Sequence, residues 1–330
     1  MSLEIKTATV EPVRHTYAHI ARRFGDKPAS RYQEATYDAQ PATNFHYRPL
    51  WNPNKTLNDK TYTQVTMQDW YALKDPRQFY YGAYVQNRAK MQEGAESSYA
   101  FFEKRDLQAN LSEDVKAKII FGLLPLRHVE QTANLNLMYG SAYGYGTTIT
   151  QACLYGSMDR LGIAQYLSRI GLLLDSNDAI SLKQAKDYWM THDAWQPIRA
   201  LCENLLVQKD WFELFVAQTL VFDTVMSVTQ YQILDNWLVE NGGRDVAMLT
   251  EFMQDCLKDL ANWSDSVIKT VVAENDANKQ LCQDWLTAWR GKVVEAYQPL
   301  IKALFGNQAD SVHTTINDTL DKRSKKVGLA

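Results

Sequence analysis

Acids and imidazoles at helical spacing are the groups in this sequence with metal-binding potential, because residues three or four apart share a helix face. A helical bundle that carries two irons takes a lone Glu from each of two helices and Glu-x-x-His from each of two others, all pointing inward. The stretch Thr150–Gly171 has the helical pattern and part of the lettering: Met158-Asp159-Arg160-Leu161-Gly162-Ile163 stands where a metal-binding version would read Met-Asp-Glu-Leu-x-His. Arg160 takes the Glu place and Ile163 the His place, and no Glu-x-x-His occurs anywhere in the 330 residues. A second such motif would fall in EFMQDCLKDLANW, beyond Leu249, but the inward places there hold Cys256, Leu257 and Leu260, so Leu257 and Leu260 read as the other pair of vacated ligand positions. Glu130 can stand for one lone bridging acid and Asp223 can approach the other. Two carboxylates with no imidazole make a poor di-iron site. An acid lost and a cation gained at position 160 has a further consequence, since a guanidinium in a dry core needs an anion. Arg160 is therefore expected to pair with Glu130 or Asp223.

Other candidate chemistry is weaker. Glu11, His15 and His19 are spaced four apart, but Pro12 disfavours a helix there and Arg14, Arg22 and Arg23 oppose a dication, so a surface or interface role is the better reading. His128 and Glu130 are two apart and face different ways. Cys153, Cys202, Cys256 and Cys282 never form C-x-x-C and each lies in an apolar helical stretch, as reduced core residues do. The Gly-rich run Gly140–Gly146 has no preceding strand and no Lys-Ser/Thr after it, so it reads as a helix junction or a close-packing surface and not a phosphate loop.

The elements that must position these groups are helical. Residues 1–66 hold Pro12, Pro28, Pro41, Pro49 and Pro53, too closely spaced for long helices, together with the large contact-making side chains Phe24, Tyr32, Phe45, Tyr47 and Trp51. This segment reads as an extended docking arm lying on its own bundle or on a partner. Residues 67–306 read as a helical bundle. Asp75-Pro76 predicts a helix start, followed by helix to about Lys104 past Gly94. Ser112 starts the next, kinked at Pro125. Ser181 with Gln184, and Asp210 with Glu213, predict capping boxes. From Trp211 to the Gly242-Gly243 stop the chain is apolar on nearly all sides. A helix of that kind is buried on nearly all sides and would be ~45 Å long. The cleanest 3.6-residue pattern begins at Val246, and another runs from Leu281, bends at Pro299 and closes at Gly306. Residues 307–330, with Lys322, Arg323, Lys325 and Lys326, read as a polar basic tail. One all-α domain with an N-terminal arm accounts for the whole pattern.

With 45% hydrophobic residues the chain can bury a large core, and its net charge of -3 gives no electrostatic reason to bind nucleic acid. The N-terminus has no apolar signal-like run, and Gln218 and Asp223 interrupt the longest greasy stretch, so a cytoplasmic protein without a membrane span is expected.

These residues carry a resemblance. Arg22-Arg23-Phe24-Gly25, Phe45-His46-Tyr47-Arg48-Pro49-Leu50-Trp51, Asp75-Pro76 with Tyr80-Tyr81-Gly82-Ala83-Tyr84-Val85, and the ligandless Met158–Ile163 recur in order and spacing over nearly the whole length. The chain resembles the β, non-catalytic hydroxylase subunit of bacterial multicomponent monooxygenases, most closely that of phenol hydroxylases. The resemblance implies a ferritin-like long-helix bundle lacking di-iron ligands, paralogous to an α subunit that holds the di-iron centre. It implies assembly with α and γ subunits as (αβγ)2, with NADH electrons arriving through a flavin/iron-sulfur reductase and a small regulatory protein tuning the reaction. No catalytic residue or cofactor then belongs to this chain, which is an enzyme only as part of the complex. Two other readings compete: a stand-alone helical protein binding a small apolar ligand between helices, and a cryptic di-metal oxidase.

Overall fold

A computed structural model of the chain describes residues 18–25, 27–41 and 46–329. Among them every regular element is helical. Helices α1 (Ala18–Phe24) and α2 (Arg31–Thr36) lie in the arm. The bundle consists of α3 (Tyr81–Lys104), α4 (Glu113–Gly122), α5 (Leu126–Tyr143), α6 (Thr147–Leu174), α7 (Ile180–Thr191), α8 (Gln196–Leu206), α9 (Trp211–Glu240), α10 (Arg244–Glu274), α11 (Asp276–Phe305) and α12 (Ala309–Lys326).

The core is organised around α9. From Trp211 to Tyr231 every residue except Glu213 and Ser227 is buried, which is where an all-apolar helix must go. By length and composition α9 is apolar enough to cross a membrane, but 89% of that window is covered by the rest of the bundle. Asp210 caps its start, accepting from the backbone N–H groups of Phe212 and Glu213, while the Glu213 carboxylate turns away to accept from Trp289 Nε1 at 2.9 Å. Within α9, Val216–Phe222 and Ser227–Leu234 are wound as π-helix, which the hydropathy pattern does not reveal.

Helices α5 and α6 pair side by side across the link Gly144–Gly146. Gly146 sits at φ +91°, a left-handed conformation that glycine adopts without a Cβ penalty. The Gly-rich run is thus a junction, and it is also a close-packing surface: a Cβ on Gly140 would lie 3.0 Å from Cys153 Sγ.

Several expected boundaries are corrected. Asp75-Pro76 does not start a helix: Gln78 N–H donates to the Asp75 carbonyl at 2.9 Å, Gln78 sits at φ +54°, and the Asp75 carboxylate is taken by the Arg77 guanidinium, so a turn intervenes before α3 begins at Tyr81. Pro125 does not kink one helix but separates two, with α4 ending at Gly122 and α5 starting at Leu126. Ser181 is not an N-cap; it lies inside α7, and both its N–H and its hydroxyl donate to Asp175, which does the capping from upstream.

Residues 307–330 do not form a solvated tail. Val312, Ile316 and Leu320 are spaced four apart on α12 and buried, as are Val327 and Leu329 beyond it. The basic residues share one helix with this buried amphipathic stripe, which their charge masks in the sequence. Arg323 is drawn inward, donating to Asp265, to Thr224 Oγ1 at 2.6 Å and to the Thr219 carbonyl at 2.9 Å.

Candidate functional site

The bundle brings Glu130 of α5, Arg160 of α6 and Asp223 of α9 together. Arg160 Nη1 donates to Glu130 Oε2 at 3.0 Å and Oε1 at 3.3 Å, and Nη2 donates to Asp223 Oδ2. Arg160 is 1% exposed and Glu130 is fully buried. The network continues from Asp223 Oδ1 to Gln218 Nε2, which donates at 2.8 Å, and from Gln218 Oε1 to Asn136 Nδ2, which donates at 2.8 Å. The Tyr231 and Tyr297 hydroxyls and Arg160 Nε are buried with no hydrogen-bond partner among the described residues.

One cation between two anions in a dry core sets the electrostatics. Burial pushes the Glu130 carboxyl up to about 7, against the pull of Arg160 and helped by the negative charge of Asp223. Burial also raises the Asp223 carboxyl, with Arg160 and the amide of Gln218 pulling the other way. The Arg160 guanidinium, penalised by burial, is still held charged by Asp223 and Glu130.

This donor set does not fit a di-iron centre. A guanidinium stands between the only two acids of the group, and it repels a dication. Ile163, Leu257 and Leu260 are buried, and Leu260 packs onto α6, where a Cβ on Gly156 would come within 2.8 Å of Leu260 Cδ1. Among the described residues no three His, Cys, Asp or Glu side chains are gathered to hold a metal. His128 faces away from Glu130, stacked on Trp189 with ring centroids 5.4 Å apart, and burial with the nearby Arg127 lowers its pKa to about 4. His19 is exposed, while Glu11 and His15 lie outside the described residues. All four cysteines are buried and unpaired, and burial raises each thiol, so none is an activated nucleophile.

The arm residues divide. Phe24 packs edge-on against Tyr37 with ring centroids 5.3 Å apart, and Tyr32 is buried with its hydroxyl accepting from the Asp75 N–H at 2.8 Å. Tyr32 thus ties the arm to the turn before α3, as an arm lying on its own bundle would, while Phe24 packs on Tyr37 within the arm. Gln151 of α6 donates to the Ala35 carbonyl and Thr147 to the Thr36 carbonyl, completing that attachment. Tyr47 and Trp51 stand out in solvent, Trp51 70% exposed with its Nε1 donating to the Tyr143 hydroxyl at 2.6 Å, and Leu50 beside them is 95% exposed. Phe45 lies outside the described residues.

A sequence model described as Methane/Phenol/Alkene Hydroxylase matches residues 51–275. The chain belongs to this hydroxylase family. It is 59% identical over 329 residues to the phenol 2-monooxygenase oxygenase component MhpL of Acinetobacter pittii (strain PHEA-2), covering 100% of this chain and 98% of that one. It is 51% identical to the corresponding component DmpL of Pseudomonas sp. (strain CF600), covering 98% of each. The crystal structure of phenol hydroxylase from Pseudomonas sp. OX1 contains a chain that superimposes with a TM-score of 0.91 at 49% identity, covering 98% of each chain. The ferritin-like hydroxylase fold therefore extends over nearly the whole molecule. Sequence reasoning named Glu130, Arg160 and Asp223 but missed Gln218, Asn136, Tyr231 and Tyr297. Their only signal was polarity inside an otherwise apolar helical stretch.

Proposed function

We propose that this chain is the structural, non-catalytic subunit of the oxygenase component of a phenol monooxygenase, a β subunit that supports a di-iron α subunit and helps hold the hydroxylase dimer. On this reading it assembles with α and γ subunits as (αβγ)2 in the cytoplasm. Electrons from NADH enter through a flavin/iron-sulfur reductase, a regulatory protein tunes the reaction, and the aromatic substrate is oxidised in α. The observation that carries it is Arg160, a buried guanidinium spanning Glu130 and Asp223 at the centre of a bundle of the hydroxylase fold. An ion trio there gives the core polar order without the imidazoles that iron needs. The aromatic end of the arm, with Tyr47, Leu50 and Trp51 exposed, supplies a clasp for a partner.

The test is iron content assigned to each subunit. Hydroxylase subunits co-expressed and purified together should separate into an iron-bearing large subunit and an iron-free chain of this sequence. Stoichiometric iron travelling with this chain would overturn the reading.

A further inference from the structure

Among the described residues every arginine that is not exposed pairs with a carboxylate, with one exception. Arg127, in the first turn of α5, is partly buried and has no acid within ion-pair distance among those residues. Its neighbours hold it without neutralising it. Nη2 donates to the Leu182 carbonyl at 2.6 Å and Nε to His128 Nε2 at 3.4 Å, while Nη1 makes no hydrogen bond among the described residues. Burial lowers the Arg127 pKa with no opposite charge to raise it, and His128 beside it stays neutral, lowered by burial and by Arg127 and Lys186. Withdrawing a guanidinium from water without an anion costs free energy, a cost that the same chain offsets at Arg160 by supplying two acids. Arg127 lines a cleft of about 670 Å³ between α5, α6 and the end of α3.

We infer that this cleft binds a small organic monocarboxylate, its oxygens on the Arg127 guanidinium and its apolar body against Ala164, Leu172 and Leu173. The site goes beyond the supporting role and does not depend on it. Three observations select the ligand class. A guanidinium presents planar, paired N–H donors that match a carboxylate, and Arg127 is fixed in place by two neutral acceptors that leave its charge unspent. The cleft compensates one negative charge and opposes a second: its other cation, Arg169, is already paired with Glu96 at 2.6 Å, and the exposed Glu103 stands on its rim. A dicarboxylate or a phosphate dianion is therefore the poorer fit. The volume lies within the roughly 300–1,000 Å³ of small-molecule sites and exceeds what a bare inorganic ion fills, and the aliphatic lining gives an organic body somewhere to go.

Benzoate is the probe, titrated into the full-length chain at neutral pH with binding read by calorimetry and by the rise in thermal unfolding midpoint that a ligand of the folded state produces. Wild type should bind it. Arg127→Gln should weaken binding at least about tenfold, and Glu103→Gln, which removes the opposing charge on the rim, should bind at least as tightly as wild type. Arg199→Gln, which removes a guanidinium paired with Glu203 elsewhere, should bind as wild type does. If Arg127→Gln loses its helicity by circular dichroism, Arg127→Lys keeps the charge without the paired donors and should still bind more weakly than wild type. The inference is overturned if wild type does not bind benzoate, or if the folded Arg127 variant binds it undiminished. Benzyl alcohol bound as tightly as benzoate would show an apolar pocket with no use for the charge, and inorganic phosphate bound more tightly would show an inorganic anion site; either result overturns it too. So does benzoate that binds the free chain but is excluded once the chain is assembled with hydroxylase subunits, since Arg127 would then serve an acidic side chain of a partner.

Discussion

Gln218 Nε2 donates to Asp223 Oδ1 at 2.8 Å although the two residues are five apart on one helix. In an α-helix residues five apart point ~140° away from each other. The π winding of Val216–Phe222 brings them to the same side, and with them the carboxylate that Arg160 requires. The local winding of α9 is thus part of what makes the buried ion trio possible.

Removing the cation should cost far more than removing the trio. Arg160→Met leaves two buried carboxylates facing each other, and urea unfolding should show a loss of about 3–5 kcal/mol. Replacing all three with Arg160→Met/Glu130→Leu/Asp223→Leu should recover most of that loss. A triple variant as unstable as the single one would show that the network is needed as such.

The Glu130 carboxyl gives stability a particular pH dependence. Its folded value of about 7 lies above the ordinary 4.5, so between these values the folded chain holds a proton that the unfolded chain releases. The stabilisation from this group is complete below 4.5 and is lost as pH rises through 7. Glu130→Gln removes the titration, so its stability relative to wild type should be more favourable at pH 8 than at pH 5, by up to roughly 3 kcal/mol. The same difference at both pH values would refute the assignment.

At the α5–α6 junction, Gly144 is held close to the preceding turn, and a Cβ there would lie 2.5 Å from the Gly140 carbonyl oxygen. Because the obstacle is backbone, Gly144→Ala should lower stability by about 1–3 kcal/mol in thermal unfolding. A neutral result would mean that the junction shifts freely.

Truncation after Gln308 separates a tail from a core helix. Loss of α12 would expose the apolar surface that Val312, Ile316 and Leu320 cover, so the truncated chain should aggregate or unfold. A soluble chain with wild-type unfolding would restore the tail.

The exposed end of the arm predicts the opposite separation. Leu50→Ala/Trp51→Ala should leave the unfolding midpoint nearly unchanged, as surface substitutions within about 0.5 kcal/mol do, while weakening capture of the partner subunits. Undiminished capture would remove these residues from the clasp.

Much of the architecture was legible because hydrophobic periodicity survives in long helices: the stripe from Val246, the all-apolar α9 and the Ser112 cap are local signals. Arg160 could be singled out because a missing motif leaves its neighbours Met158, Asp159 and Leu161 in place. Asp75-Pro76 misled because the carboxylate that would cap a helix is captured by Arg77, two residues on. The α12 helix is hard to see in the sequence because its stripe of three aliphatics is short and lies beside four basic residues. The π turns were invisible because hydropathy reports which residues are buried and not which carbonyl each backbone N–H reaches. Thr219, Thr224 and Thr229 each donate to the carbonyl four residues back, and no pattern of polarity reports that.

Arg323 of α12 reaches back to the centre of α9. Its guanidinium holds the Thr219 carbonyl and the Thr224 hydroxyl from more than ninety residues downstream. During synthesis, therefore, the Thr219 carbonyl and the Thr224 hydroxyl wait for α12 to be made before this cation reaches them. A chain that stops before Arg323 should therefore hold α9 without the cation that joins it to Asp265.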